Sequence, residues 1–462
     1  MIEREMTGDV LKTALRTGGD FAELYMEDTH SHDVSLVDTE IENAVYAHRH
    51  GAGVRVFWGT QSAYAYTNDT SHAGLVSAAN AAADALCKEY LHPCALFSPV
   101  SYISPSPAAF ENISNDMRGA LLSRMAAAAK AYAPEISQVR AGYMDTSKRV
   151  LVCNSEGVFA STDRIRTRIQ VQAIATDGTQ RQVGMESKGF GLDFSAYENL
   201  DVEALGIDAA KTAVTMLRAP ECPAGFLPVV IDGGFGGVIF HEACGHSLEA
   251  TAVAKGNSEF CGKRGQKIAS PLVTAVDDGT IPGEWGSVFG VDDEGTPSQK
   301  TILIENGILQ SYLIDRLGAR RMGLPPTGCA RRQNYAYAPT SRMSNTYIAP
   351  GKDDEEEMIA SMAEGLYAKK MGGGSVDPLT GTFNFSVREG YWVKNGKIDR
   401  PVRGATLVGK GADVLLSIDR VGPRMWMAPG MCGSASGSIP TNVGQPRIRV
   451  SGMTIGGAGS AL

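Results

Sequence analysis

Val229 to Glu249 reads VVIDGGFGGVIFHEACGHSLE, and what this stretch demands of the backbone constrains the whole chain. An apolar run (Val229, Val230, Ile231) meets a glycine cluster (Gly233, Gly234, Gly236, Gly237), and a helix-length segment then carries His241, Glu242, His246 and Glu249. The pattern predicts a strand, a tight turn and a helix bearing metal-ligand chemistry. Two imidazoles with a carboxylate directly after the first are the groups with which zinc hydrolases hold their ion and act on its water. Here, however, the spacing is HExxxH rather than HExxH. At ~100° per residue, positions i and i+4 fall about 40° apart on a helix, whereas i and i+5 fall about 140° apart. A regular α-helix therefore cannot aim both rings at one ion. Either a one-residue π-bulge restores the alignment, or the helix breaks at Gly245 and His246 reaches back from a distorted turn.

Of the eight histidines, six lie at or before His92 and only His241 and His246 follow, so the pair is not background. A catalytic zinc needs a third protein ligand and an open position. Unless an N-terminal histidine folds over, that ligand is Glu249, a later Asp or Glu, or one of Cys244, Cys261, Cys329 and Cys432, and spacing does not choose among them. Cys432, in the polar stretch APGMCGSASGS, has the least core-like context. The glycines at 233–237 match neither GxGxxG nor GxxxxGK[ST], so they read as a close backbone approach rather than a phosphate loop.

The 462 residues suffice for two or three domains with ample core. A net charge of -8 and no long basic run argue against nucleic-acid binding. No window approaches a membrane span of ~20 apolar residues, and the N-terminus lacks the apolar core of a signal peptide, so a cytoplasmic protein is expected. The eight cysteines form no CxxC pair, which argues against a disulfide framework or a zinc ribbon.

Along the chain, residues 1–107 read as a small α/β unit. A short helix spans Val10–Leu15, and strands follow at Ala22–Asp28, Val34–Leu36, Val54–Trp58 and Ala63–Tyr66, with turns at Gly51–Gly53 and Gly59. Asn68, Asp69 or Ser71 caps a helix with the apolar line Leu75, Ala79, Ala82 and Leu86. His30, His32, His48 and His50 read as polar-face residues, since no carboxylate accompanies them at motif spacing. Four prolines between Pro93 and Pro107 mark a linker or edge crossing. A second α/β segment, 108–221, pairs helices at 116–132 and 202–217 with hairpin strands turning at 154–157 and 177–178. Its Arg164, Arg166 and Arg168 read as a solvated sheet face. Residues 222–462 form a β-rich domain, in which Asp353–Glu357 starts a helix that ends near Lys369, Lys370 and Gly372. The fold class is α+β.

Several blocks beyond the motif resemble the TldD/PmbA family of metallopeptidases, specifically the TldD-like subunits that keep HExxxH. They are VTAVDDGTIPGEWGS (273–287), DDEGTPSQKTILIENGILQSYLIDRLGARRMG (292–323), RRQNYAYAPTSRMSNTYIAPG (331–351), FNFSVREGYWVKNGKIDRPVRGATLVG (383–409), and GMCG followed by VGQPRIRV. The resemblance implies zinc held by His241, His246 and Cys432, with Glu242 as general base and acid. It also implies a dimer, either a homodimer or a heterodimer with a PmbA-like subunit, enclosing a cavity in which short or unfolded peptides are cleaved. Two local departures, HSLEAT (Ser247, Ala250, Thr251) and Ser434, Ala435, Ser436 after MCG, leave the ligands intact.

The expected reaction is peptide hydrolysis by metal-activated water, with Glu242 shuttling the proton. Arg331, Arg332 and Tyr335, in a polar non-periodic segment, are candidate substrate contacts. The alternative is a non-catalytic metal-binding subunit that acts as a partner or scaffold, which a closed four-ligand site would favour. A gyrase-modulating role, suggested by the family's historical name, has no basic surface signal behind it.

Overall fold

The computed structural model describes residues 4–86, 98–101, 110–377 and 380–459. Most of the proline-rich stretch 93–107, with Cys87 and Cys94, lies outside the described residues.

The first half is organised by a seven-stranded sheet: β1 (Phe21–Val37), β2 (Glu40–Trp58), β3 (Gln61–Thr67), β4 (Ser98–Ser101), β5 (Ile136–Asn154), β6 (Val158–Thr176) and β7 (Arg181–Phe190). The order is β3-β2-β1-β5-β6-β4, with β7 also on β6. The two α/β segments expected from sequence share this sheet, because β1 lies antiparallel to β5 from Glu23↔Asn154 to Val37↔Arg140. Helices α1 (Arg4–Ala14) and α2 (His72–Asp84) lay Val10, Leu11, Leu75 and Ala79 on Leu24, Val54 and Val56. Farther along the sheet, α3 (Asn115–Ala131) and α4 (Val202–Arg218) lay Leu122, Met125, Ala209 and Ala213 on Val139, Ile169 and Val171. Each fully buried Leu or Val contributes ~1.5–3 kcal/mol. Ser71, Ser114 and Asp201 cap α2, α3 and α4 through their side-chain oxygens.

Two expectations change here. No turn occurs at Gly51–Gly53: β2 runs through it, and the glycines make room for neighbours. A Cβ on Gly51 would stand 2.5 Å from the Tyr335 ring, and one on Gly53 would stand 1.8 Å from the Tyr64 hydroxyl. The arginine face of β6 is not solvated, because the C-terminal half covers it. Arg164 donates to Asp293 and the Val291 carbonyl, and Arg166 donates to the carbonyls of Trp285 and Ser287.

The C-terminal half carries β8 (Gly225–Ile231), β9 (Ala275–Asp278), β10 (Lys300–Glu305), β11 (Ile308–Leu309), β12 (Ala330–Arg331), β13 (Thr340–Ser341), β14 (Asn345–Ile348) and β15 (Glu364–Val376). It continues with β16 (Thr382–Lys394), β17 (Lys397–Val402), β18 (Thr406–Lys410), β19 (Ile418–Val421), β20 (Trp426–Ser434), β21 (Gly437–Gln445) and β22 (Ile448–Gly456). Strands β15-β8-β22-β18-β16 close into a barrel because β15 also pairs with β16. A second sheet runs β11-β10-β9-β14-β21-β20. One large apolar cluster unites the barrel (Leu366, Phe383, Phe385, Leu407) with the motif segment (Ile239, Phe240, Cys244, Leu248).

The helix expected to start in the Asp353–Glu357 run and end near the lysines stops at Ala360. Residues 364–376 form β15 instead, where Leu366 and Ala368 are buried between β8 and β16. The acidic run and the lysines belong to two different elements, so their match to a helix dipole was coincidental. Among the described residues, no helix is long and apolar enough to cross a membrane.

Buried ion pairs stitch the halves together. Arg55 pairs with Glu294 at 2.5 Å and Arg332 with Glu23 at 2.7 Å, all four side chains at most 3% exposed. Such pairs add little net stability, but removing one partner strands a buried charge at a cost of ~3–5 kcal/mol.

Candidate metal centre

The apolar run of β8 sits between β15 (parallel) and β22 (antiparallel), which holds the chain in the barrel wall up to Ile231. One 3₁₀ turn at Gly234–Gly237 and a single α-helical turn at Val238–Phe240 follow. His241–Gly245 is then a π-turn, in which the His246 amide donates to the His241 carbonyl. His246–Leu248 tightens to 3₁₀, and Glu249 leaves in an extended conformation. Of the two devices that reconcile HExxxH with one ion, the chain uses the π-turn. The widened turn brings the rings edge to face, 5.1 Å apart at 84°.

Glycines let this segment pack closely on the β20–β21 hairpin and on the stretch before β14. A Cβ on Gly237 would lie 2.6 Å from the backbone of Gly444 in β21, and one on Gly245 would lie 2.2 Å from the Met343 sulfur. The hairpin pairs Cys432 with Ile439 and delivers the thiol to the histidines. Cys432 Sγ is 3.3 Å from His241 Nε2 and 3.3 Å from His246 Nε2, and the three ligand atoms all lie within 4.8 Å of one another. A tetrahedral zinc with its usual bond lengths places sulfur and nitrogen ligands about 3.5 Å apart. The donor set therefore fits zinc in both chemistry and spacing.

The rival third ligands are occupied elsewhere. Cys244 and Cys329 are buried in the apolar core, where burial pushes their thiols well above the usual range. Cys261 donates to the Val253 carbonyl. Glu249 stands behind His246, with Oε2 3.2 Å from Nδ1. Burial raises the Cys432 thiol, but hydrogen bonds from His241 and His246 outweigh it and bring the group down to about 4. Burial lowers the His246 imidazolium, yet Glu249 and Cys432 carry it well above the usual value. Both shifts favour a thiolate beside a protonated ring, and metal binding would displace that proton. His241 Nδ1 is buried and has no hydrogen-bond partner among the described residues.

Glu242 places Oε2 3.8 Å from His246 Nε2 with its side chain 29% exposed, so the carboxylate flanks the ligand atoms on the solvent-accessible side. A fully buried Arg342 anchors the hairpin, donating to the carbonyls of Cys432 and Gly437 and to Ser436 Oγ. Sequence reasoning missed Arg342. Its segment is non-periodic, and nothing in composition separates it from Arg331 and Arg332.

Those two arginines and Tyr335 lie in the seam between the halves. Arg331 donates to the Met343 carbonyl, and Arg332 to Glu23, the Asp293 carbonyl and the Tyr64 hydroxyl. The Tyr335 ring packs against Gly51 and, at 6.2 Å, Tyr66. Either arginine reaches a substrate only by giving up these buried bonds. Ser436, one of the departures after MCG, is internal and hydrogen-bonded to Thr340 and Arg342, and the Thr251 amide donates to Ser341. On β1 and β2 the histidines do form a polar face, but Asp28 joins His30 and His48 there, a carboxylate the motif spacing did not reveal.

Comparison with known proteins matches residues 22–86, 109–217 and 224–457 to domain 1, the central domain and the C-terminal domain of PmbA/TldA metallopeptidases. A protein of Haemophilus influenzae named metalloprotease TldD homolog is 35% identical over 95% of this chain and 93% of its own length. Among solved structures, TldE from Thermococcus kodakarensis has a TM-score of 0.77 at 18% identity, covering 97% of this chain and 99% of its own. A Thermotoga maritima protein named a "putative modulator of a DNA gyrase" has a TM-score of 0.79 at 20% identity, covering 98% of this chain and 99% of its own. These two likenesses establish the fold.

Proposed function

The chain belongs to the PmbA/TldD family of metallopeptidases, and from that membership and the His241–His246–Cys432 cluster we propose that it is a zinc-dependent peptidase acting on short or unfolded peptides. The observation that carries the proposal is the convergence of two imidazole nitrogens and one cysteine sulfur, with Glu242 beside them on the open side. Three converging ligands suit a catalytic site better than a closed structural one. When bound, the ion supplies Lewis acidity toward water and the scissile carbonyl.

The chain's own residues do the rest. Glu242 accepts the proton of the attacking water and returns it to the leaving amine. Glu249 holds the His246 ring by its far nitrogen, and Arg342 holds the backbone of Cys432. Among the described residues β20 pairs only with β21, so the strand that carries Cys432 lies at the edge of its sheet, where the Gly430 and Cys432 carbonyls accept from Trp285 and Arg342. An extended peptide adding to that edge is bound through its backbone, which tolerates many sequences. The proposal includes a cytoplasmic setting, where the six described cysteines, all free, stay reduced. It also includes a dimer that encloses the site, as a homodimer or with a PmbA-like subunit, for which the likeness to TldE is support.

The test is zinc content measured beside cleavage of casein fragments for the wild type, Glu242→Gln and Cys432→Ala. We expect about one tightly held zinc at this cluster, retained without activity in Glu242→Gln and lost with activity in Cys432→Ala, the chemical step falling ~10²–10⁴-fold in the former. Normal zinc binding by Cys432→Ala, or full activity of Glu242→Gln, would overturn the assignment.

A further inference from the structure

We propose that the β1–β2 hairpin carries a second metal site, built from Asp28, His30 and His48, which takes a borderline divalent ion such as zinc, cobalt or nickel. It lies in the N-terminal sheet and is independent of the peptidase reading.

The site is made by strand register. His30 and His48 are direct cross-strand partners, so their side chains leave the same face of the sheet. Asp28, two residues before His30, shares that face. The two rings stack with centroids 4.3 Å apart and planes 8° from parallel. Both present Nε2 to the same carboxylate oxygen, Oδ1 of Asp28, at 2.6 Å for His48 and 3.6 Å for His30. The three ligand atoms lie within 4.8 Å of one another, and an ion would draw them to the ~3–3.5 Å of bound ligands by turning the near-parallel rings toward it.

The surroundings orient these groups. Nδ1 of His30 lies 2.7 Å from the Tyr46 hydroxyl. With Nδ1 protonated and donating to that oxygen, the lone pair of His30 stays on Nε2, facing the carboxylate, and such an outer hydrogen bond fixes the tautomer of a metal-binding histidine. The His side chains are 43% exposed and Asp28 is 51% exposed, and Asp28 borders two cavities of about 810 and 430 Å³. Three protein ligands beside open cavities leave room for water or a further ligand, and ions can enter without unfolding. The set is N₂O rather than N₂S, so it lacks the thiolate that ties soft ions to Cys432. Two imidazoles around a carboxylate suit first-row divalent ions and not calcium or magnesium, which take oxygen ligands.

The experiment is a cobalt(II) titration of the full chain at about pH 7.5, followed by absorbance. It compares wild type with Cys432→Ser, His30→Gln/His48→Gln and Asp28→Asn. The thiolate-to-cobalt charge-transfer band reports the Cys432 cluster, whereas the hairpin site contributes only d–d absorption. We expect the wild type to take up two equivalents. Cys432→Ser should lose the charge-transfer band and keep one equivalent. His30→Gln/His48→Gln should keep the band and lose the other, and Asp28→Asn should weaken that site about tenfold or more. The hairpin side chains are half exposed, so circular dichroism and melting should be unchanged; if the double variant nevertheless melts early, the isosteric Asp28→Asn decides. The proposal is overturned if Cys432→Ser takes up no cobalt at about 1 mM free ion, or if Asp28→Asn and the double variant bind as the wild type does.

Discussion

Oε2 of Glu249 lies 3.2 Å from Nδ1 of His246, while Nε2 of the same ring lies 3.3 Å from Cys432 Sγ. The imidazole is held from both ends, with a carboxylate behind and a thiol in front. A buried carboxylate in that position fixes which nitrogen bears the proton and strengthens the other as a ligand. Glu249 is itself only 3% exposed, so the pairing is shielded from solvent.

Glu249→Gln should therefore weaken zinc binding ~10–100-fold without changing the stoichiometry at saturating zinc. Chelator competition measures this. Complete loss of the site would make Glu249 a ligand, and unchanged affinity would remove its orienting role.

The two close approaches of the motif segment should differ in severity. Gly237→Ala drives a methyl into the backbone of Gly444, which cannot move aside, whereas Gly245→Ala meets the Met343 sulfur, which can. Urea unfolding should place Gly245→Ala near the ~1–3 kcal/mol range of overpacked cores and Gly237→Ala beyond it. Adding Met343→Ala should recover part of the Gly245→Ala loss, and no recovery would refute the contact.

Arg342→Lys keeps the charge but cannot reproduce a fork that reaches two carbonyls and the Ser436 hydroxyl. Stranding one or two of those buried acceptors costs ~1–3 kcal/mol each. Zinc affinity should fall with stability, because the same carbonyl belongs to Cys432. A variant that melts early yet binds zinc normally would separate the hairpin anchor from the ligand.

Burial, reinforced by Glu294 and partly offset by Arg55, lifts the Asp315 carboxyl from its ordinary 3.8 to about 7. Between those values the folded chain binds more protons than the unfolded chain, so this residue makes stability fall as pH rises from about 4 to about 7. Asp315 also caps a helix by accepting from the Gly318 amide, a role asparagine can fill. Asp315→Asn should flatten that part of the stability–pH curve and leave the protein more stable at pH 7 than the wild type. A curve of unchanged slope would contradict the assignment.

Local rules made much of this legible. Helices α2 to α4 follow the apolar spacing of Leu75, Leu121 and Val202 with their neighbours, and the 154–157 and 177–178 turns lie where Asn, Asp and Gly occur. The choice between π-turn and helix break was already posed by the i, i+5 spacing of His241 and His246. What escaped was long-range. Nothing near Gly51 announces Tyr335, which lies on it, and nothing near Arg164 announces Asp293. Arg331, Arg332 and Arg342 share one segment, and only the distant partners of each give it a role.

The ion pairs of the seam also impose an order on synthesis. Arg55 waits 239 residues for Glu294, and Glu23 waits 309 residues for Arg332. At ~5–20 residues per second these delays amount to roughly 10–60 s, during which the nascent sheet stands with its charged face bare. The same arginines and glutamates that lie dry in the finished protein leave that face polar until its cover has been made.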